Sequence, residues 1–250
     1  MNTHSILRNA CLVCLSAMTL AAASQAQASI ALSGTRMVLQ EKQQEASIVV
    51  RNGDSPVLIQ SWLETNSAND GDDLPFAVTP PVAKMAANGQ QLLRVMYAGS
   101  SDLPSGQESV MWLNVQEVPL STQAENQLQI AVRQRIKVFF RPTGLNGNAA
   151  EAPTAVRWSA VRNDRGALLT LSNPSAYHVS FSELSDANGR ELPSPGMLAP
   201  GQVLELQLGN IAVDATLGFR TINDYGGADA YRVRLSGTNQ VSGVAADSKR

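Results

Sequence analysis

Short runs of β-branched and aromatic residues recur along the chain, and clusters of Gly, Pro, Asn and Asp separate them. Residues 47–51, 57–63, 92–97 and 110–115 are such runs, and residues 52–56 and 69–73 are two of the clusters. No long stretch carries the period of an amphipathic helix. Many short strands at this spacing predict an all-β chain, a sandwich or a barrel. Trp62 and Trp112 fall inside such runs and read as core or sheet-face residues.

One segment breaks the pattern. Residues 141–153 contain two prolines, two glycines and two asparagines, with little to bury, and read as an interdomain connection. A second β series follows at 155–160, 167–172, 177–184, 203–208, 217–223 and 231–235. The expected organisation is therefore a first domain over 29–142, a linker over 143–153, a second domain over 154–240 and a flexible tail over 241–250. Each domain is near the size of an immunoglobulin-like sandwich, about 100 residues.

The first 28 residues stand outside this plan. Arg8 precedes an apolar or small run from Cys11 to Ala23, and Ala26-Gln27-Ala28 supplies small residues for cleavage. That is the pattern of a secretory signal peptide. The run is short for a membrane span, and no basic stop-transfer cluster follows it. Both cysteines, Cys11 and Cys14, lie in this segment, so the exported chain is expected to rely on its cores and not on disulfides. The net charge is −2, which gives no global reason to expect nucleic acid or an anionic membrane as partner.

Signatures of catalysis are scarce. His178 is the sole histidine after the signal, and it lies in a strand-like pattern that reads as a strand surface or edge. One histidine and no cysteine cannot assemble the usual zinc sites. There is no Gly-x-Ser-x-Gly elbow and no phosphate loop. Asp70, Asp72 and Asp73 around Gly71 lack the rest of a calcium loop and read as a solvated turn. The chain is expected to be no enzyme and to need no cofactor or metal.

Residues 127–142 form the unusual strand. Leu128, Ile130 and Val132 make an apolar stripe, after which come Arg133, Arg135, Lys137 and Arg141. Two classes fit such an edge. One is a surface-exposed β protein with an adhesive or structural role. The other is a protein that recognises another chain by pairing with its backbone, filling pockets with alternate side chains. An open edge invites aggregation unless a partner or charges guard it, a role open to Arg133 and Arg135. Arg36, at the start of the first run, and Lys137 are a candidate pair for a carboxylate. In strict alternation, however, Lys137 has the opposite parity from the stripe. Either a bulge between 132 and 137 re-aims it, or it reaches its target from the other face.

Several stretches, in this order, resemble the periplasmic chaperones of chaperone–usher pili. They are Thr35-Arg36 with Val38, Trp62 before Glu64, Thr79-Pro80-Pro81-Val82, Glu108 before residues 112–119, residues 126–142, Ser172-Asn173-Pro174, and residues 222–227. The resemblance to this PapD-like family implies two immunoglobulin-like β-sandwich domains in an L shape with a cleft between them. It implies a chaperone that folds and caps pilus or fimbrial subunits by donor-strand complementation and passes them to an outer-membrane usher, without membrane insertion. By resemblance, Arg36 and Lys137 anchor the subunit's C-terminal carboxylate, and Leu128, Ile130 and Val132 form the donor stripe. Glu108, Arg141 and Asp224 match an interdomain salt bridge. Leu58, Gln60, Thr79, Pro81, Val82 and Arg94 match an usher-facing surface, and the 79–81 turn matches one that holds a cis-proline.

Overall fold

The structure is a computed structural model that describes residues 30–65, 74–99, 103–119 and 130–246. Apolar side chains alternate along the strands, so each strand offers one face to a core. In β3 (Glu45–Asn52), Ile48 and Val50 point inward while Glu45, Ser47 and Arg51 are exposed. That alternation builds two separate sandwiches.

The first sandwich packs two sheets. One is ordered β1 (Ile30–Leu32), β3, β7 (Gln90–Tyr97) and β5 (Phe76–Thr79). The other is ordered β2 (Arg36–Gln40), β9 (Arg133–Arg141), β8 (Ser109–Pro119), β4 (Val57–Glu64) and β6 (Val82–Met85). Leu39, Val50, Ile59, Leu93, Val95, Leu113, Val115 and Val138 are fully buried between them. Full burial of such a side chain is worth roughly 1.5–3 kcal/mol. Strands β2 and β9 run parallel, whereas the other strand pairs of this domain are antiparallel.

The second sandwich is built the same way. Strands β14 (Val203–Gln207), β11 (Gly166–Ser172), β10 (Arg157–Asn163) and β17 (Val241–Ser242) form one sheet. Strands β13 (Met197–Leu198), β12 (Val179–Asp186), β15 (Thr216–Ile222), β16 (Ala228–Arg234) and β18 (Val244–Ala245) form the other. Trp158 is fully buried, with ring centroids 5.8 Å from Phe181 and 4.9 Å from Phe219. No helix among the described residues is long and apolar enough to cross a membrane.

Three local expectations change and one holds. The linker is not wholly free of burial: Ala152–Ala155 forms a short helix, α1, and Ala152 joins the second core with Leu145 and Ala149 packed against it. The tail is not free throughout, because β17 pairs with β10 and β18 with β16. Small apolar residues there complete open sheet edges. The 79–81 turn does hold a cis-proline, at the Thr79–Pro80 bond. Finally, among the described residues the long strand begins its ladder at Arg133, and 130–132 precede it. The 69–73 aspartate cluster and Leu128 lie outside the described residues.

Candidate functional site

β9 carries the site. Its register with β8 runs unbroken from Gln116↔Arg133 to Ser109↔Phe140. No bulge therefore re-aims Lys137. Ile136, Val138 and Phe140 enter the first core, and the alternate residues Arg133, Arg135, Lys137, Phe139 and Arg141 stand on the opposite face. Ile130 and Val132 share the parity of the core-facing set but precede the strand. Only the Val132 carbonyl is held, by the Glu117 N–H at 2.8 Å. Ile130 is 64% exposed.

The parallel strand β2 brings Arg36 beside this face. Arg36 and Lys137 are register partners. Arg36 Nη1 donates to the Ile222 carbonyl of the second domain at 2.9 Å, and its guanidinium carbon lies 5.5 Å from the Phe139 ring centroid. Burial pulls the Arg36 pKa below the usual arginine value, although the Asp224 and Glu108 charges oppose this. Burial, and then the Arg36 charge, pull the Lys137 pKa below the usual lysine value. Lys137 Nζ rests 5.5 Å from the Trp112 ring centroid. No carboxylate lies within ion-pair distance of Lys137 among the described residues. Two cations thus stand side by side, each partly dehydrated.

Four residues further along β9, Arg141 ties the domains together. Its Nε donates to Glu108 Oε2 at 2.7 Å, while Nη1 and Nη2 donate to Asp224 at 2.6 and 2.7 Å. Burial disfavours the Arg141 charge, but the bonds to Asp224 and Glu108 outweigh it, so its pKa lies above the usual value. Glu108 is 2% exposed, and its second oxygen accepts from the His178 backbone N–H at 2.9 Å and lies 2.9 Å from His178 Nδ1. An ionised Glu108 fixes the Nδ1–H tautomer of His178. The sequence reading placed His178 on a strand surface, whereas its side chain is buried in this interface. A signal for it existed: a buried carboxylate needs donors for both oxygens, and Arg141 shares its guanidinium with Asp224.

The turn 223–227 sets the shape of this contact. Asn223 Oδ1 accepts the N–H groups of Tyr225 and Gly227, which closes the turn between β15 and β16. This presents the Ile222 carbonyl to Arg36 and the Asp224 carboxylate to Arg141. Gly226 has φ +85°, and a Cβ there would stand 2.8 Å from Thr35 Oγ1 of the first domain. A cavity of ≈ 370 Å³ lies between the domains, lined by Arg36, Phe139, Arg141, His178 and Asp224 among others; Lys137 is not part of its wall.

The remaining candidates sit elsewhere on the first domain. Gln60 and Val82 are register partners on β4 and β6, with Leu58 two residues along. Thr79 and Arg94 are partners in the other sheet. The 80–81 turn joins the two groups, since Ser61 N–H donates to the Pro81 carbonyl and Ser61 Oγ to the Pro80 carbonyl, each at 2.8 Å. Arg133 and Arg135 are outward, stacked near Trp62 and Trp112 and paired with Glu64.

Known proteins resemble this chain in sequence and fold. Residues 29–146 match the family described as pili and flagellar-assembly chaperone, PapD N-terminal domain, and residues 151–233 match pili assembly chaperone PapD, C-terminal domain. The probable fimbrial chaperone YadV of Escherichia coli K12 is 40% identical over 230 residues, covering 86% of this chain and 94% of the relative. The chaperone protein LpfB of Salmonella typhimurium is 35% identical over 206 residues, covering 80% and 85%. The crystal structure of the YadV chaperone superposes with a TM-score of 0.71 at 39% identity, covering 83% of this chain and all of that one. By sequence and by architecture, this chain belongs to the family of pilus-assembly chaperones.

Proposed function

We propose that this chain is a periplasmic chaperone that captures pilus or fimbrial subunits by lending them a strand, and that it carries no catalytic activity. The observation that carries the reading is where β2 begins. It covers the edge of β9 only from Lys137 onward, which leaves the lane beside residues 130–136 without a neighbouring strand among the described residues. The cation pair stands at the closed end of that lane. A partner strand entering it gains main-chain hydrogen bonds, and its terminal carboxylate meets Arg36 and Lys137. Leu128, Ile130 and Val132 then fill the open core of a subunit whose sandwich lacks a strand. A slip of one residue would turn the stripe outward, so the anchored carboxylate sets the register.

The rest of the molecule supports this role. The Glu108–Arg141–Asp224 contacts hold the second domain against the cation pair. The surface of Leu58, Gln60, Thr79, Pro81, Val82 and Arg94 is the proposed usher-facing patch. The direct test is co-expression with candidate subunits, followed by periplasmic fractionation and pull-down. A stable complex is expected from the native chain. Recovery of the chain at the cell surface, with ligand binding and no subunit, would instead establish the adhesive reading.

A further inference from the structure

The face shared by Arg133, Arg135 and Lys137 is a charged aromatic ladder. Arg133 lies 5.9 Å from the Trp62 ring centroid and Arg135 lies 4.0 Å from that of Trp112. Glu64 serves both arginines, at 3.9 and 3.2 Å. Two cations thus share one carboxylate. Stacking on an indole holds a guanidinium plane in place and lowers the entropy cost of its next contact. The arginine side chains remain 52% and 37% exposed.

The open lane brings a partner to this ladder. A strand whose carboxyl end meets Arg36 and Lys137, and whose body lies along residues 130–136, must run in the direction of β9, as β2 does further on. Side chains alternate between the two faces of a sheet. If the strand's apolar residues share the face of Ile130 and Val132, the residues between them stand on the face of Arg133 and Arg135. Charges placed level on neighbouring strands interact, and like charges repel.

We propose that Arg133, Arg135 and Glu64 read the captured strand, selecting acidic side chains at the intervening positions nearest its carboxyl end. This rests on the strand-capture reading above. The incoming carboxylates share the two arginines with Glu64, and basic residues at those positions are rejected.

The test uses the full exported chain and short synthetic peptides of alternating valine and serine with a basic solubilising group at the amino end. The serines nearest the carboxyl end are kept, or replaced by Glu or by Lys, and each peptide is made as free acid and as amide. Binding is followed by fluorescence polarisation. Each Glu is expected to tighten binding about 1.5- to fivefold over Ser, the range for an exposed ion pair, and Lys to weaken it. The Arg133→Gln, Arg135→Gln double variant should lose this ranking while still preferring acid to amide. Glu64→Gln should widen it. Equal binding of the Glu, Ser and Lys free acids by the native chain, with acid still preferred to amide, overturns the proposal and leaves the anchor standing. So does an unchanged ranking in the double variant, which would make the arginines mere covers for Trp62 and Trp112. Amides that bind as well as acids overturn the anchor, and this proposal with it.

Discussion

Arg36 and Lys137 stand level on adjacent parallel strands, and Lys137 has no carboxylate within ion-pair distance among the described residues. Placing two like charges together and partly dehydrating them costs free energy in the unliganded chain. Burial lowers the pKa of both groups, and the Arg36 charge lowers that of Lys137 further. In the proposed complex, an arriving carboxylate relieves that cost.

The first prediction concerns this pair. Lys137→Ala is expected to abolish recovery of a subunit complex without loss of thermal stability, because it removes an unfavourable charge. Arg36→Ala is expected to abolish recovery too, with a loss of about 1–2 kcal/mol for the bond to the Ile222 carbonyl. Pull-down and thermal unfolding check both. A normal complex yield from the two variants would remove the anchor.

Binding should also depend on pH. The pKa of Lys137 is lowered in the free chain. Its charge penalises the folded state below that lowered pKa, and the penalty fades as pH rises toward the unfolded value. A bound carboxylate favours the charged form and moves the pKa back up. Subunit affinity is therefore expected to fall as pH rises through the lowered value, with proton uptake on binding. Titration calorimetry in buffers of different ionisation enthalpy measures that uptake. A subunit affinity that stays flat across the lysine range contradicts the role of Lys137.

The donor stripe separates stability from capture. Ile130 is largely exposed, so Ile130→Asp should leave the melting temperature of the free chain unchanged. In a complex the same carboxylate would enter an apolar groove unpaired, a cost of several kcal/mol. Capture should fail. A variant that captures subunits normally would show that Ile130 is not part of the stripe.

The interdomain network should behave unequally. Arg141→Ala leaves Glu108 buried without its charged partner, and is expected to cost about 3–5 kcal/mol. Asp224→Asn alters a partner that is 39% exposed, and about 1 kcal/mol or less is expected. Chemical denaturation ranks the two. Equal small losses would mean that the network does not fix the domains.

Much of this was legible in the residues. Periodicity and turn clusters gave two all-β units, and the ordered motifs named the family. The position of residue 137 in strict alternation was correct, and only its consequence stayed open. His178 was misread because its partner, Glu108, is 70 residues away in sequence. The tail was read as free because a two-residue strand such as β17 has no periodicity to detect. Arg133 and Arg135 were read as edge guards, because the neighbouring rungs that supply Trp62, Trp112 and Glu64 are set by register.

The sequence by itself determined the alternation of apolar and charged side chains, and hence the opposite parity of the stripe and Lys137; the unbroken register then excluded a bulge over 133–140. The sequence also determined the charges and apolar groups available to a partner. Only the tertiary structure decided that Arg36 lies level with Lys137, that β2 closes the lane at that level, and that a turn of the second domain presses against both Arg36 and Arg141. Those facts depend on pairing between strands far apart in the chain. Local propensity places residues on a face, but long-range register decides which of them meet.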